Sequence, residues 1–133
     1  MITVVDLKAQ MGGLTMLKGR TPTTPDAARE GAFARLAPYR DGAMFVGKFA
    51  GTSAWERHPQ GDEIVHILEG TATLHMMTEG GRQSVALRDG MMVIVPQNMW
   101  HQFDAPEGVC VMTTTPQPTQ HLTVDVEDPR TAV

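Results

Sequence analysis

Cysteine is almost missing from this chain: Cys110 is the only one, so no intramolecular disulfide can form and a zinc–cysteine cluster is excluded. It sits in the apolar run 109–112 and reads as a buried small hydrophobe rather than a nucleophile. No apolar stretch approaches the length of a transmembrane helix, and the N-terminus lacks the basic flank and long apolar region of a signal peptide. Together these point to a cytoplasmic protein without membrane association. Basic residues are also few. With 11 Lys and Arg against 15 Asp and Glu, a net charge of −4 and no basic cluster, a nucleic-acid backbone is not an expected partner. There is no internal repeat and no serine or cysteine nucleophile constellation. No glycine-rich phosphate loop follows a strand and opens a helix.

What remains is a turn-rich chain with a real core. Its 133 residues suit one domain, and 41% hydrophobic residues are enough to fill it. The 13 Gly and 9 Pro imply frequent reversals. Helix periodicity is scarce. The best start is Thr24-Pro25-Asp26, leading into residues 27–30, and Gly31 limits that helix to a turn or two. From Gly31 onward, short strands alternate with turn chemistry, at residues 33–38, 43–50, 53–58, 63–68, 71–78, 83–87, 91–95, 100–103, 109–115 and 122–126. This pattern predicts an all-β sandwich or small barrel with at most one short N-terminal helix. Its core spans about residues 31–126 within a single domain of residues 1–133, and residues 1–30 form an arm. Residues 2–7 read as a leftover strand, and the tail from Asp125, with Glu127 and Asp128, as a solvated acidic end. Methionine is frequent, at 10. Adjacent strand residues face opposite sides, so neither Met76-Met77 nor Met91-Met92 can converge on one copper(I) ion, and core packing explains them better.

The chemistry lies in two segments. In the first, Glu56 and His58 are two apart on a strand and share a face, while Trp55 and Arg57 point the other way. With His58 opening a type I turn, Pro59 and Gly61 take its favoured second and fourth positions. The chain then returns antiparallel and brings Glu63 within reach of the same point. Val65 and Ile67 share the parity of Glu63 and look buried. Two carboxylates beside them need a positive partner. A divalent metal is the natural candidate; Arg57, at the wrong parity, or Lys48 is the rival. In the second segment an apolar strand ends at Pro96-Gln97-Asn98 and returns with His101, between Met99 and Phe103 of matching parity. Alone, such a histidine is more often a hydrogen-bonded core residue than a ligand.

Together the two segments resemble those of the cupin superfamily. The family's first segment, H-x-H-x4-E-x6-G, is matched by Glu56-x-His58-x4-Glu63-x6-Gly70, with glutamate at the first histidine position. The second, G-x5-P-x-G-x2-H-x3-N, is matched by Gly90-x5-Pro96-x-Asn98-x2-His101. Asn98 stands where glycine is usual, a change that the left-handed region tolerates. Ala105 stands where the last asparagine is expected. The resemblance implies a jelly-roll β-sandwich or barrel holding one divalent metal (Fe, Mn, Zn or Ni), with Glu56, His58, Glu63 and His101 as ligands. It implies a small organic molecule as substrate or ligand, bound by an enzyme of dioxygenase or isomerase type or by a non-catalytic sensor. It also implies a homodimer, for which residues 2–7 and the outward Trp55 and Trp100 offer a contact. His66 is expected outside the barrel or in a subunit contact, His75 facing solvent, and His121 near the terminus without a role. Tyr39 is the only tyrosine, and no proton-transfer group beside the metal stands out.

Overall fold

Strand follows strand for most of the chain's length. In the computed structural model, which describes residues 1–132, a short helix α1 (Leu7–Gly12) precedes nine strands. They are β1 (Leu17–Arg20), β2 (Phe33–Tyr39), β3 (Gly42–Thr52), β4 (Glu56–Arg57), β5 (Glu63–Thr78), β6 (Gly81–Arg88), β7 (Met92–Val95), β8 (His101–Pro116) and β9 (Gln120–His121). The sheet curls into a jelly-roll half-barrel. Strand β8 runs through its middle, pairing with β3 on one side and β5 on the other. Strand β2 joins β3 through the turn Arg40–Asp41, and β1 lies parallel to the far end of β3, with Arg20 beside Gly51.

β5 and β8 are longer than the sequence suggested, and each joins two expected strands into one of 16 residues. The apparent breaks at Gly70 and Gly108 are bends. Gly70 has φ +86°, and a Cβ there would lie 2.4 Å from the carbonyl oxygen of Gly108. Only glycine lets the two backbones cross this closely. At this corner the inward set of β5 switches from Glu63, Val65 and Ile67 to Ala72, Leu74 and Met76, as the pairing register shifts. The first arm of β5 pairs with β7 and the second with β6. Both arms line the core with Phe49, Phe103, Val109 and Val111.

Three expectations need correction. Residues 2–7 pair with no strand; instead the Asp6 carboxylate accepts the Ala9 N–H at 3.0 Å and caps α1. This helix presents half-buried Leu7 and Met11, whereas residues 26–29 expose both alanines and stop at a single 3-10 turn. The terminal strand is Gln120–His121 rather than 122–126, and the chain beyond it docks against the barrel. Leu122 N–H donates to the Trp55 carbonyl and Trp55 Nε1 to that of Val126, each at 2.9 Å, and Pro129 is buried. Finally, Trp55 and Trp100 are buried within the chain, at 0% and 5% exposure. The terminal segment lies against the first, and the Arg57 guanidinium stacks on the second at 4.5 Å. Of the methionine pairs, Met76 packs in the core while Met91 and Met92 are exposed.

Candidate metal centre

Two turns bring the separated segments together. Asn98 adopts φ 61°, the left-handed conformation its position requires, and its N–H donates to the His58 carbonyl at 2.9 Å. The neighbouring Gln97 donates its N–H to Asp62 Oδ1 and its side-chain amide to the Pro59 carbonyl, both at 2.7 Å. The turn after His58 and the turn before His101 are thus one hydrogen-bonded unit. Glu56 then stands directly across from His101 in the β4–β8 pairing, and Glu63 begins β5 opposite Val95.

All four expected residues meet at one point. One donor atom each from Glu56, His58, Glu63 and His101 lies within 4.8 Å of the others, so the group could hold a metal ion. Glu63 Oε2 is 3.2 Å from His58 Nε2, and Glu63 Oε1 is 3.1 Å from His101 Nε2. Glu56 Oε1 lies at 3.6 Å from His101 Nε2 and 4.0 Å from His58 Nε2. Despite these separations, His58 Nε2, His101 Nε2 and Glu63 Oε1 are buried with no hydrogen-bond partner. Leaving three such atoms unsatisfied is costly, and a cation in their midst would satisfy all of them.

The remaining atoms of these side chains are held from behind. His101 Nδ1 donates to the Met99 carbonyl at 3.0 Å, which turns Nε2 toward the centre. His58 Nδ1 is 2.9 Å from Thr119 Oγ1, and Thr115 Oγ1 donates to Glu63 Oε2 at 2.7 Å. Burial opposes the Glu63 charge, but the imidazoles of His101 and His58 outweigh it and hold the carboxyl down at about 2. At Glu56 burial is likewise outweighed by His101, and its carboxyl is held below the usual range. Burial disfavours a charged His101, yet Glu56 and Glu63 raise it to about 10. The cluster therefore demands positive charge. Neither rival cation supplies it, because Arg57 donates to Gln120 Oε1 at 2.7 Å and Lys48 sits across from Cys110 on β8.

Glu56, His58 and Glu63 face a cavity of about 420 Å³, with His101 buried behind them. All four phenylalanines of the chain, Phe33, Phe45, Phe49 and Phe103, line it. Gly47 makes this possible: a Cβ there would lie 2.3 Å from the Phe33 ring, which lies across the strand. Arg20, Arg29 and His121 complete the wall, and none of them was visible as a site residue in the sequence. Nor were Thr115 and Thr119, although the inward parity of Thr115 with Val111 offered a signal. His75 and His66 point outward as expected, half-buried, the former 2.6 Å from Ser84 Oγ. Tyr39 is exposed at the β2–β3 hairpin, away from the cavity. Cys110 is buried and its thiol is pushed up to about 11 by that burial, so it is inert.

Comparison with known proteins agrees with this architecture. A family model of the cupin domain matches residues 46–115. Among solved structures, a cupin-2 domain protein from Shewanella frigidimarina aligns with a TM-score of 0.56 at 24% identity, over 65% of this chain and 80% of that one. Hydroquinone 1,2-dioxygenase from Sphingomonas sp. TTNP3, solved with 4-hydroxybenzoate bound, aligns with a TM-score of 0.56 at 16% identity, over 65% of each chain. Oxalate decarboxylase from Bacillus subtilis gives a TM-score of 0.54 at 16% identity, and this chain spans 24% of its length. At these identities the likeness concerns the fold. Among curated protein sequences, none matches. No helix among the described residues is long and apolar enough to cross a membrane.

Proposed function

Because the chain belongs to the cupin family, we propose that it is a divalent-metal enzyme that converts a small organic molecule in its barrel cavity by dioxygenase- or isomerase-type chemistry. Glu56, His58, Glu63 and His101 would hold one Fe, Mn, Zn or Ni ion. The observation that carries this reading is the set of three buried, unpartnered donor atoms, two of them from residues that line a half-open cavity shared with the four phenylalanines. Bound there, the ion would supply Lewis-acid or oxygen-activating chemistry. The chain's own residues do the rest. Met99, Thr115 and Thr119 fix the orientation of three donors, and the phenylalanine rings supply apolar surface for the body of a ligand. Glu56 is the one donor with a substantially exposed side chain, at 31%, so it meets both cavity and solvent. We place this activity in the cytoplasm.

A second reading, a non-catalytic sensor, draws on the shortage of proton-transfer groups. Neither tyrosine nor lysine lines the cavity. Oxygen uptake decides between the two. The Fe(II)-loaded protein is expected to consume oxygen with at least one member of a panel of enediols, thiols and catechols, in proportion to bound iron. Tight binding of one compound with no turnover by the Fe, Mn, Ni and Zn forms would establish the sensor instead.

We also propose a homodimer, on other grounds than the sequence offered. Ile64, Met92 and Ile94 are exposed together on the outer face of β5 and β7, where Ile64 pairs with Ile94 and His66 with Met92. A contiguous apolar strip of this kind is a protein contact. Light scattering at micromolar concentration should give twice the chain mass, and Ile94→Glu should halve it. A monomer in the wild type rules the dimer out.

A further inference from the structure

One cation in the cavity feels the carboxylates of Glu56 and Asp26 only at a distance. Arg20, the last residue of β1, is set at the rim by its pairing with Gly51, where any side chain would strike the Arg20 backbone at 2.2 Å. Its guanidinium lies 4.5 Å from the centre of the Phe49 ring and 5.2 Å from that of Phe33. Arg29 also lies over Phe33, at 4.7 Å from the ring centre. Among the described residues, the Arg20 guanidinium has no hydrogen-bond or ion-pair partner. Arg29 has only a loose contact of 3.9 Å with exposed Asp26. Burial first, and then the like charge of Arg29, outweigh the carboxylates of Glu56 and Asp26 and lower the Arg20 pKa to about 10, so it is still charged at neutral pH.

The charges of the whole cavity make the same point. With a divalent ion bound, Glu56 and Glu63 would balance it and leave the arginine charge unmatched; without one, the Arg20 fork is still free of any hydrogen-bond or ion-pair partner among the described residues. A half-buried guanidinium held on aromatic faces keeps its planar fork of N–H donors free, the geometry that takes a carboxylate with two parallel hydrogen bonds. Arg20, the four phenylalanines and three of the four donor residues, Glu56, His58 and Glu63, line one cavity.

We propose that the cavity selects a small carboxylic acid with a flat, apolar body, its carboxylate held by Arg20 with Arg29 behind it and its other end turned toward Glu56, His58, Glu63 and His101. This rests on the metal reading for the far end of the ligand and on Arg20 alone for the near end. The two can therefore fail separately.

Calorimetric titration with benzoate and with its neutral isostere benzamide tests the proposal, on metal-loaded protein and on protein stripped with chelator. Benzoate is expected to bind at least about tenfold more tightly than benzamide in both preparations, as a charge-assisted pair predicts. Arg20→Met should abolish that preference without changing the metal content. Arg20→Lys, which restores charge but not the fork, should recover part of it, and melting curves of both variants show that they remain folded. Equal binding of the two probes, or no benzoate binding at millimolar concentration, overturns the proposal. A preference that survives Arg20→Met but vanishes on stripping also overturns it, because the carboxylate would then sit on the metal. If the protein binds no metal at all, the metal reading fails while the benzoate preference of the stripped protein still decides on Arg20.

Discussion

Glu63→Gln is expected to leave the purified protein nearly free of metal, with affinity reduced by more than about 100-fold, beyond the range of outer-shell changes. The substitution keeps the shape of the side chain, and the amide oxygen can still accept the hydroxyl of Thr115, which donates to Glu63 Oε2 at 2.7 Å. What it removes is the anionic oxygen that has no partner of its own, Glu63 Oε1, 3.1 Å from His101 Nε2. Thr115→Val is the matched control. It leaves the carboxylate in place and frees it to turn, so its loss should be about 10–100-fold. Metal content by mass spectrometry after dialysis, and competition with a chromogenic chelator, rank the two. Should Glu63→Gln retain metal as well as Thr115→Val, the carboxylate is support rather than ligand.

Glu56 makes the second large expectation, because it replaces the histidine that the family pattern has at this position. Its Oε1 stands farther from the two imidazoles, at 3.6 and 4.0 Å, than the Glu63 oxygens do, and its side chain is partly exposed. A direct carboxylate–metal bond, about 2.0–2.2 Å for a zinc-like ion, requires only a small inward movement of such a side chain. Glu56→Ala is then expected to weaken metal binding by more than about 100-fold. Glu56→His should retain the metal and shift preference toward nitrogen-favouring Ni(II) or Cu(II). A loss confined to about 10–100-fold in the alanine variant would instead mark an outer-shell hydrogen bond. An unchanged affinity would remove Glu56 from the site altogether.

Strand parity and turn chemistry carried the face that gathers the candidate metal ligands. Glu56 and His58 are two apart, Pro59 and Gly61 reverse the chain, and Glu63 returns beside them. Asn98 at φ 61° is the left-handed residue that its motif position demanded. Other parts left no such trace. Arg20 ends a four-residue strand whose order comes from pairing with β3, and no local pattern marks it. Thr119 falls in a proline-flanked stretch that reads as a linker, and becomes part of the site only because β9 folds back on β4. Gly70 and Gly108 looked like ends of strands because composition cannot distinguish a break from a bend. The distinction arises only when two backbones cross. The tryptophans had outward parity, but what covers Trp55 lies some seventy residues farther along the chain.

That crossing has a consequence for how the molecule comes apart. Since β5 and β8 each carry both arms of the curled sheet through the Gly70–Gly108 corner, the molecule has no seam along which one arm could melt while the other stays ordered. Both arms of β5 pair with β8, so the strands at either end share one continuous ladder. The transition should therefore be a single cooperative one, with no half-folded species for proteases or aggregation to exploit. Glu63 and His101 begin these two strands. An ion shared between them would act as a rivet on the whole sheet, raising the melting temperature with the logarithm of metal concentration.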